Sequence, residues 1–292
     1  MAASNLTAAE ILVLLNPNKT QGREAFKLSL MELLARGVID LRKEEIKGFW
    51  GRTQTIDHIR ITPGALGQSS VKPHLHLILG LLSRDPSGPG LTMKNLIQAA
   101  GVKFGNDFGG FQKDRLLPEL VEQGLLEARQ EKALWVFPVT RYRLTQKGEA
   151  IKQQLEDQIE RARSIPDMIG TNPAQTAALI LGLGSAILLV DEAKSHYAQL
   201  SRIMREQQSG GNAPSDYYVP GAVFDPSSDM ATLDTSELRE SIGNFFDFDL
   251  DINFDGFDSI LDSFESSFDS SAGGNFGADA GDGGGDGGGG GE

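Results

Sequence analysis

The chain is 292 residues long, carries a net charge of −13 and has no cysteine. The missing thiols exclude disulfide scaffolds, thiolate metal centres and cysteine nucleophiles. The charge is unevenly spread: residues 211–292 hold 18 Asp and Glu against the single Arg239, so they carry −17, while residues 1–210 hold 26 basic and 22 acidic groups and carry +4. The first part therefore reads as a mildly basic globule and the second as an acidic appendage.

At the N-terminus, LTAAEILVLL opens an amphipathic helix behind Thr7, a good N-cap. With no basic leader and only a short apolar run, no secretory signal is expected there. An internal echo follows. LMELLARGVIDLR (Leu30–Arg42) and LPELVEQGLLEAR (Leu117–Arg129) align without gaps, sharing Glu32/Glu119, Leu33/Leu120 and Gly37/Gly124. Thr92 opens the second copy as Thr7 opens the first. Each half reads helix, helix, glycine stop, strand, because a left-handed helix end favours glycine. RTQTIDHIRITPG continues the first half as a second strand, and Gly64–Lys72 is a loop.

Helices are expected over residues 73–83, 93–100, 113–123, 148–164, 174–190 and 191–208, with 101–110 a glycine-rich connection. The apolar run Thr176–Val190 spans 15 residues, short of the roughly 20 needed to cross a bilayer. It reads as a buried helix in which Gly182 and Gly184 allow close packing. Beyond Gly211, high like-charge density and glycine leave little to offset chain entropy, and 211–292 reads as mostly disordered.

Chemistry-bearing constellations are sparse. Asp251–Gly256 with Asp262 has the spacing of a calcium loop, but Asp258 stands where an aliphatic residue is wanted and the last ligand is Asp rather than Glu. His74 and His76 point apart on a helix, with no carboxylate or third His nearby, so they read as core or surface histidines and no metal site is expected. Glu44-Glu45 and Asp191-Glu192 read as solvated helix ends. No Walker loop, nucleophile elbow or dinucleotide fingerprint is present, so no enzymatic activity and no cofactor are expected.

The strongest signal is Lys113–Ile151. A helix stopped by Gly124 leads into a charged strand, the apolar run Leu134–Val139, and the basic strand Arg141–Leu144. Leu134, Trp135, Val136 and Phe137, bracketed by Arg129, Lys132, Arg141, Arg143 and Lys147, need either a core or an anionic apolar surface. A winged-helix regulator of nucleic acid or a protein partner is the alternative. Its recognition helix would here mix Lys113, Arg115 and Gln123 with Asp114, Glu119 and Glu122, which opposes phosphate contact. A third reading is a scaffold whose acidic-aromatic tail, residues 241–270, recruits a partner.

LTAAEILVLL, LMELLARGVIDL, DRLLPELVEQGLLEAR, ALWVFPVTRYRL and PDMIGTNPAQTAALILGL occur in the order seen in the Golgi phosphoprotein family, and the chain resembles that family over roughly residues 5–190. The resemblance implies a single, mostly helical domain with one projecting β-hairpin. With the internal echo and the composition of the C-terminal part, the fold expected is mainly α: a compact helical domain (1–210) with two helix-pair, wing-like halves and a projecting β-hairpin, followed by a disordered acidic, Gly-rich tail (211–292). The resemblance also implies a cytoplasmic, peripheral membrane adaptor, at the Golgi face in a eukaryote, that binds phosphatidylinositol 4-phosphate. Lys113, Arg115, Arg141 and Arg143 would meet the headgroup, while Leu134, Trp135, Val136 and Phe137 enter the bilayer. The family's two pocket arginines fall at Gly110 and Lys113, and a further pocket arginine at Phe26, beside Arg23 and Lys27. From the charge split, the acidic tail is expected to compete for the same basic face.

Overall fold

The computed structural model describes residues 6–47, 53–65, 71–83, 90–133, 137–208 and 256–272. The internal echo is a real structural duplication. In the first half, α1 (Ala8–Leu15) is capped by Thr7, whose hydroxyl accepts from the Glu10 N–H while the Glu10 carboxylate accepts from the Thr7 N–H at 2.7 Å. This reciprocal box satisfies two of the donors that a helix start leaves open. Helix α2 (Gly22–Ala35) then runs into Gly37, and β1 (Ile39–Lys47) pairs antiparallel with β2 (Thr53–Ile61), Ile39 opposite Ile61.

Between the halves lies α3 (Pro73–Leu82), followed by the two-residue strand β3 (Leu91–Thr92), which joins the edge of β2. In the second half, Thr92 caps α4 (Met93–Phe104), four residues longer than the sequence predicts. A single turn, α5 (Gly109–Phe111), continues through a π-helical segment (Gln112–Leu116) into α6 (Leu117–Glu122). Strands β4 (Leu126–Ala133) and β5 (Phe137–Leu144) form a separate hairpin.

Both halves stop their second helix identically. Gly37 and Gly124 have φ of 63° and 70°. Gly37 N–H donates to Leu34 and Val38 to Leu33; Gly124 donates to Val121 and Leu125 to Leu120. These are the paired bonds of a left-handed helix stop. The shared glutamate serves both halves too. Glu32 accepts from the Ala8 N–H at the start of α1, at 2.7 Å, and Glu119 bonds His74 at the start of α3.

Thr145 caps α7 (Gln146–Ala162), which leads through α8 (Ile165–Ile169) into α9 (Pro173–Leu183). The single apolar helix expected to Val190 is interrupted. Gly184, with φ of 52°, ends α9, and Gly184–Leu189 continue as a 3₁₀ turn. Gly184 thus serves as a left-handed break, and a side chain at Gly182 would meet nothing within 4 Å, so Gly182 does not mark a tight helix crossing. The last polar helix is likewise two pieces, α10 (Asp191–Lys194) and α11 (Tyr197–Gln208). Glu44 and Glu45 lie on β1 rather than at a helix end, and are exposed as expected.

One segment beyond residue 211 is ordered against the domain. Within the tail, Phe257–Ala272 is a helix, α12, with Phe257, Ile260 and Phe264 completely buried against the domain. Their spacing of three and four residues makes one apolar stripe. Phe257 meets Tyr197 with ring centroids 5.0 Å apart, Phe264 stacks on Phe26, and Phe268 meets Phe108 edge-on. The candidate calcium loop is divided by this helix. Asp262 sits on α12, five residues into regular helix, while Asp251, Asn253 and Asp255 lie outside the described residues.

Candidate functional site

A cleft of about 1190 Å³ opens where the start of α2, the π-helical segment and β5 converge. Arg23, Lys113 and Arg141 supply its positive charge, Asp107 its acid, and Phe268 of α12 part of its wall. Gln21, the N-cap of α2, makes no capping bond with its side chain, and Gln21, Gly22 and Arg23 line the cleft. An uncapped helix start presents N–H groups and the positive end of the helix dipole, a combination suited to an anion.

The β4–β5 hairpin rises beside this cleft. Its base is anchored by buried Leu125 and Leu126. Farther out, Ala128, Arg129 and Gln130 on one strand and Val139, Thr140 and Arg141 on the other are all exposed. Consecutive strand residues point to opposite faces, so exposure of all six means that solvent reaches both faces there. The hairpin thus stands clear of the globule. Leu134, Trp135 and Val136, which connect its strands, lie outside the described residues, as does the side chain of Phe137.

Asn18 fastens the hairpin to the cleft. Its side-chain amide donates to the Tyr142 carbonyl at 2.9 Å and its carbonyl oxygen accepts from the Tyr142 N–H at 3.4 Å. One side chain here imitates a neighbouring strand. Asn18→Ala removes both bonds; the expected loss is about 1–2 kcal/mol of local stability, read as faster amide exchange at Tyr142 with α7 unchanged.

The four predicted headgroup cations divide. Lys113 and Arg141 line the cleft; Arg115 and Arg143 are exposed but do not. Arg141 and Arg143 both pair with Glu131, at 3.1 and 2.8 Å, and Arg129 pairs with Glu127 at 2.7 Å. Such exposed pairs contribute little to stability and exchange readily for another anion. Arg23, named in the sequence only as a neighbour of Phe26 and not among the headgroup cations, also lines the cleft. In the structure its guanidinium lies 3.9 Å from the Phe268 ring centre and pairs with Glu265.

Glu265 also binds Lys27 at 3.0 Å. Burial pushes the Glu265 carboxyl up, but Lys27 and Arg23 outweigh it and hold its pKa below the ordinary value. Burial likewise lowers the Lys27 ammonium, and Glu24 and Glu265 reverse the sign, so that it titrates above its ordinary value.

A second polar cluster lies inside the domain and corrects the expectation that His74 has no carboxylate nearby. Glu10 of α1 and Glu119 of α6 both reach it, with ligand atoms of Glu10, His74 and Glu119 within 4.8 Å of one another. His74 Nδ1 is 2.7 Å from Glu119 and its Nε2 3.1 Å from Thr7 Oγ1. Lys72 contacts both Glu10 oxygens, at 2.9 and 2.6 Å. Its ammonium already holds the place beside Glu10 that a cation would take, so the cluster acts as a brace between α1, α3 and α6. His76, two residues on, is exposed.

Residues 29–215 match the family model described as Golgi phosphoprotein 3 (GPP34). The chain belongs to the Golgi phosphoprotein 3 family. A comparison with curated proteins finds no match. Among the described residues, no helix is long and apolar enough to cross a membrane.

Against the Golgi phosphoprotein 3 resemblance, two substitutions have a physical explanation. A Cβ at Gly110 would come within 2.8 Å of the Phe104 carbonyl oxygen, so the backbone here leaves no room for a pocket arginine. Phe26, at the further position where the resemblance implies an arginine, is fully buried among Phe104, Phe108, Phe111 and Phe264. An aromatic cluster stands where a charge is expected, and α12 docks on it.

Proposed function

We propose that this Golgi phosphoprotein 3 family member is a non-enzymatic, peripheral membrane adaptor that binds an anionic, phosphoinositide-like headgroup in the cleft and inserts the hairpin tip into the bilayer. The observation that carries the reading is the hairpin, solvated on both faces, standing beside a cleft that carries Arg23, Lys113 and Arg141. Lys113 and Arg141 meet the headgroup. Arg115 and Arg143 add charge toward the leaflet. Leu134, Trp135, Val136 and Phe137 supply the apolar anchor.

The energetics match reversible attachment. Each large apolar side chain buried contributes about 1.5–3 kcal/mol, and each cation near an anionic leaflet about 1 kcal/mol. Neither signal suffices alone, and the two together hold a peripheral protein.

Vesicle flotation at low salt tests the proposal, using phosphatidylcholine with and without phosphatidylinositol 4-phosphate. The intact chain should float only with the anionic lipid. Trp135→Asp and the pair Lys113→Glu, Arg141→Glu should each weaken binding at least about tenfold, the equivalent of 1.4 kcal/mol. An intact chain that stays in the dense fraction with anionic vesicles, or that shifts duplex nucleic acid instead, refutes the lipid reading.

A further inference from the structure

The acidic helix α12 lies in a groove of the domain and reaches the cleft through its last turns. Its apolar stripe covers the aromatic cluster around Phe26, and its Glu265 takes up Arg23 and Lys27. Ser259 donates to Asp57 at 2.8 Å near the other end. At Gly256, which precedes the helix with φ of 86°, a Cβ would lie 2.9 Å from Leu41 Cδ1. Contacts with the domain therefore recur from Gly256 to Phe268.

We propose that this groove is a docking site for the chain's own helix Phe257–Ala272, and that the docked helix gates the cleft by holding Arg23 through Glu265 and Phe268. The gating half of this inference rests on the lipid reading above; the docking half does not.

Three observations support reversibility. First, the helix carries Asp258, Asp262, Glu265 and Asp269 and no basic residue, so an anionic surface that draws the cleft cations repels the docked helix. Secondly, a phosphate at the cleft and the Glu265 carboxylate compete for the same guanidinium. Thirdly, ordering the 16-residue helix costs conformational entropy that opposes the burial of its four apolar anchors. The linking residues 209–255 keep the released helix at high effective concentration, so it redocks when the surface is withdrawn.

Hydrogen exchange and vesicle partition on the full-length chain test this together, with phosphatidylcholine vesicles containing phosphatidylserine or phosphatidylinositol 4-phosphate. In the free protein, amides of 257–272 should be protected, and that protection should fall on vesicle binding. Glu265→Arg, which sets like charges against Arg23 and Lys27, should remove the protection in solution. It should also raise vesicle affinity about tenfold, within the usual range for coupling between two sites. Asp286→Arg makes the same charge change elsewhere in the tail and should raise affinity much less. Phe268→Ala provides a second release without added charge.

Unprotected amides in the free chain overturn docking, and protection that depends on protein concentration assigns the helix to a second copy and overturns docking in cis. Vesicle binding with the helix still protected, or equal gains from Glu265→Arg and Asp286→Arg, overturns gating while leaving the lipid reading intact. If neither the intact chain nor Glu265→Arg binds vesicles, the lipid reading and the gating fall together, and the exchange data still judge the docking.

Discussion

Glu10→Ala should lower unfolding stability by about 3 kcal/mol, at the lower end of the cost of breaking a buried ion pair by removing one partner. Glu10 is fully buried, and it accepts from Lys72, from Gln123 at 2.8 Å and from the Thr7 N–H. Its loss leaves three donors from three elements without their acceptor. Lys72, whose side chain keeps 26% exposure, can turn partly to water, which is why the lower end applies. Removing both charges with Glu10→Leu and Lys72→Leu should recover part of the loss, because no uncompensated ammonium remains. Urea denaturation of the single and double variants measures both quantities. Equal stability of Glu10→Ala and the intact chain would show that the brace contributes nothing.

The same carboxylate sets a pH dependence. Burial, the largest influence, pushes the Glu10 pKa up. The charges of Lys72 and His74, with the bonds from Lys72 and the Thr7 N–H, outweigh it and bring the value below 4.5. A group with a folded pKa below its unfolded one stabilises the fold when ionised. This contribution is complete above the unfolded value, about 4.3 for a free Glu, and is lost as pH falls through the lower folded value. The stability gap between the intact chain and Glu10→Gln should therefore be constant near neutrality and shrink in acid.

Gly22→Val should cost about 3 kcal/mol, the upper range for forcing atoms into a filled site, and should distort the cleft. A Cβ at Gly22 would overlap the Phe108 carbonyl group, which is backbone and cannot rotate aside. Phe108 itself holds φ of 55°, the left-handed region that glycine normally fills. The bare α-carbon of Gly22 and the turn at Phe108 thus fit one another. Displacing the turn moves the Phe108 ring away from Phe26, at 4.9 Å, and Phe268, at 5.6 Å. Near-ultraviolet dichroism should report loosened aromatic packing, and amides of 257–272 should exchange faster than those of α7. Unchanged exchange in α12 would show that the turn does not support it.

Local features were legible in the chain. Thr7 and Thr92 announce helix starts, and Gly37 and Gly124 announce helix ends, because capping is decided by a residue and its neighbours within one turn. The hairpin followed from the alternation of charged, apolar and basic segments after Gly124. The helix α12 was missed although its signal was present. Phe257, Ile260, Phe264 and Phe268 have helical spacing, but the density of acids and the surrounding glycine made composition outweigh period. The break at Gly184 was missed for the converse reason, since an unbroken apolar run reads as one helix whatever angle its glycine takes.

Sequence by itself determined the duplicated helix-pair plan, the two strand pairs, the family and the division between a basic domain and an acidic tail. These depend on hydrophobic period, caps and net charge, which act over a few residues or in the aggregate. Tertiary structure alone decided that Arg23 faces Phe268 and Glu265 across 242 residues of chain, and that Glu10, Lys72, His74 and Glu119 meet. Such contacts depend on which helix faces pack together, and packing is a property of the folded surfaces that no single segment encodes.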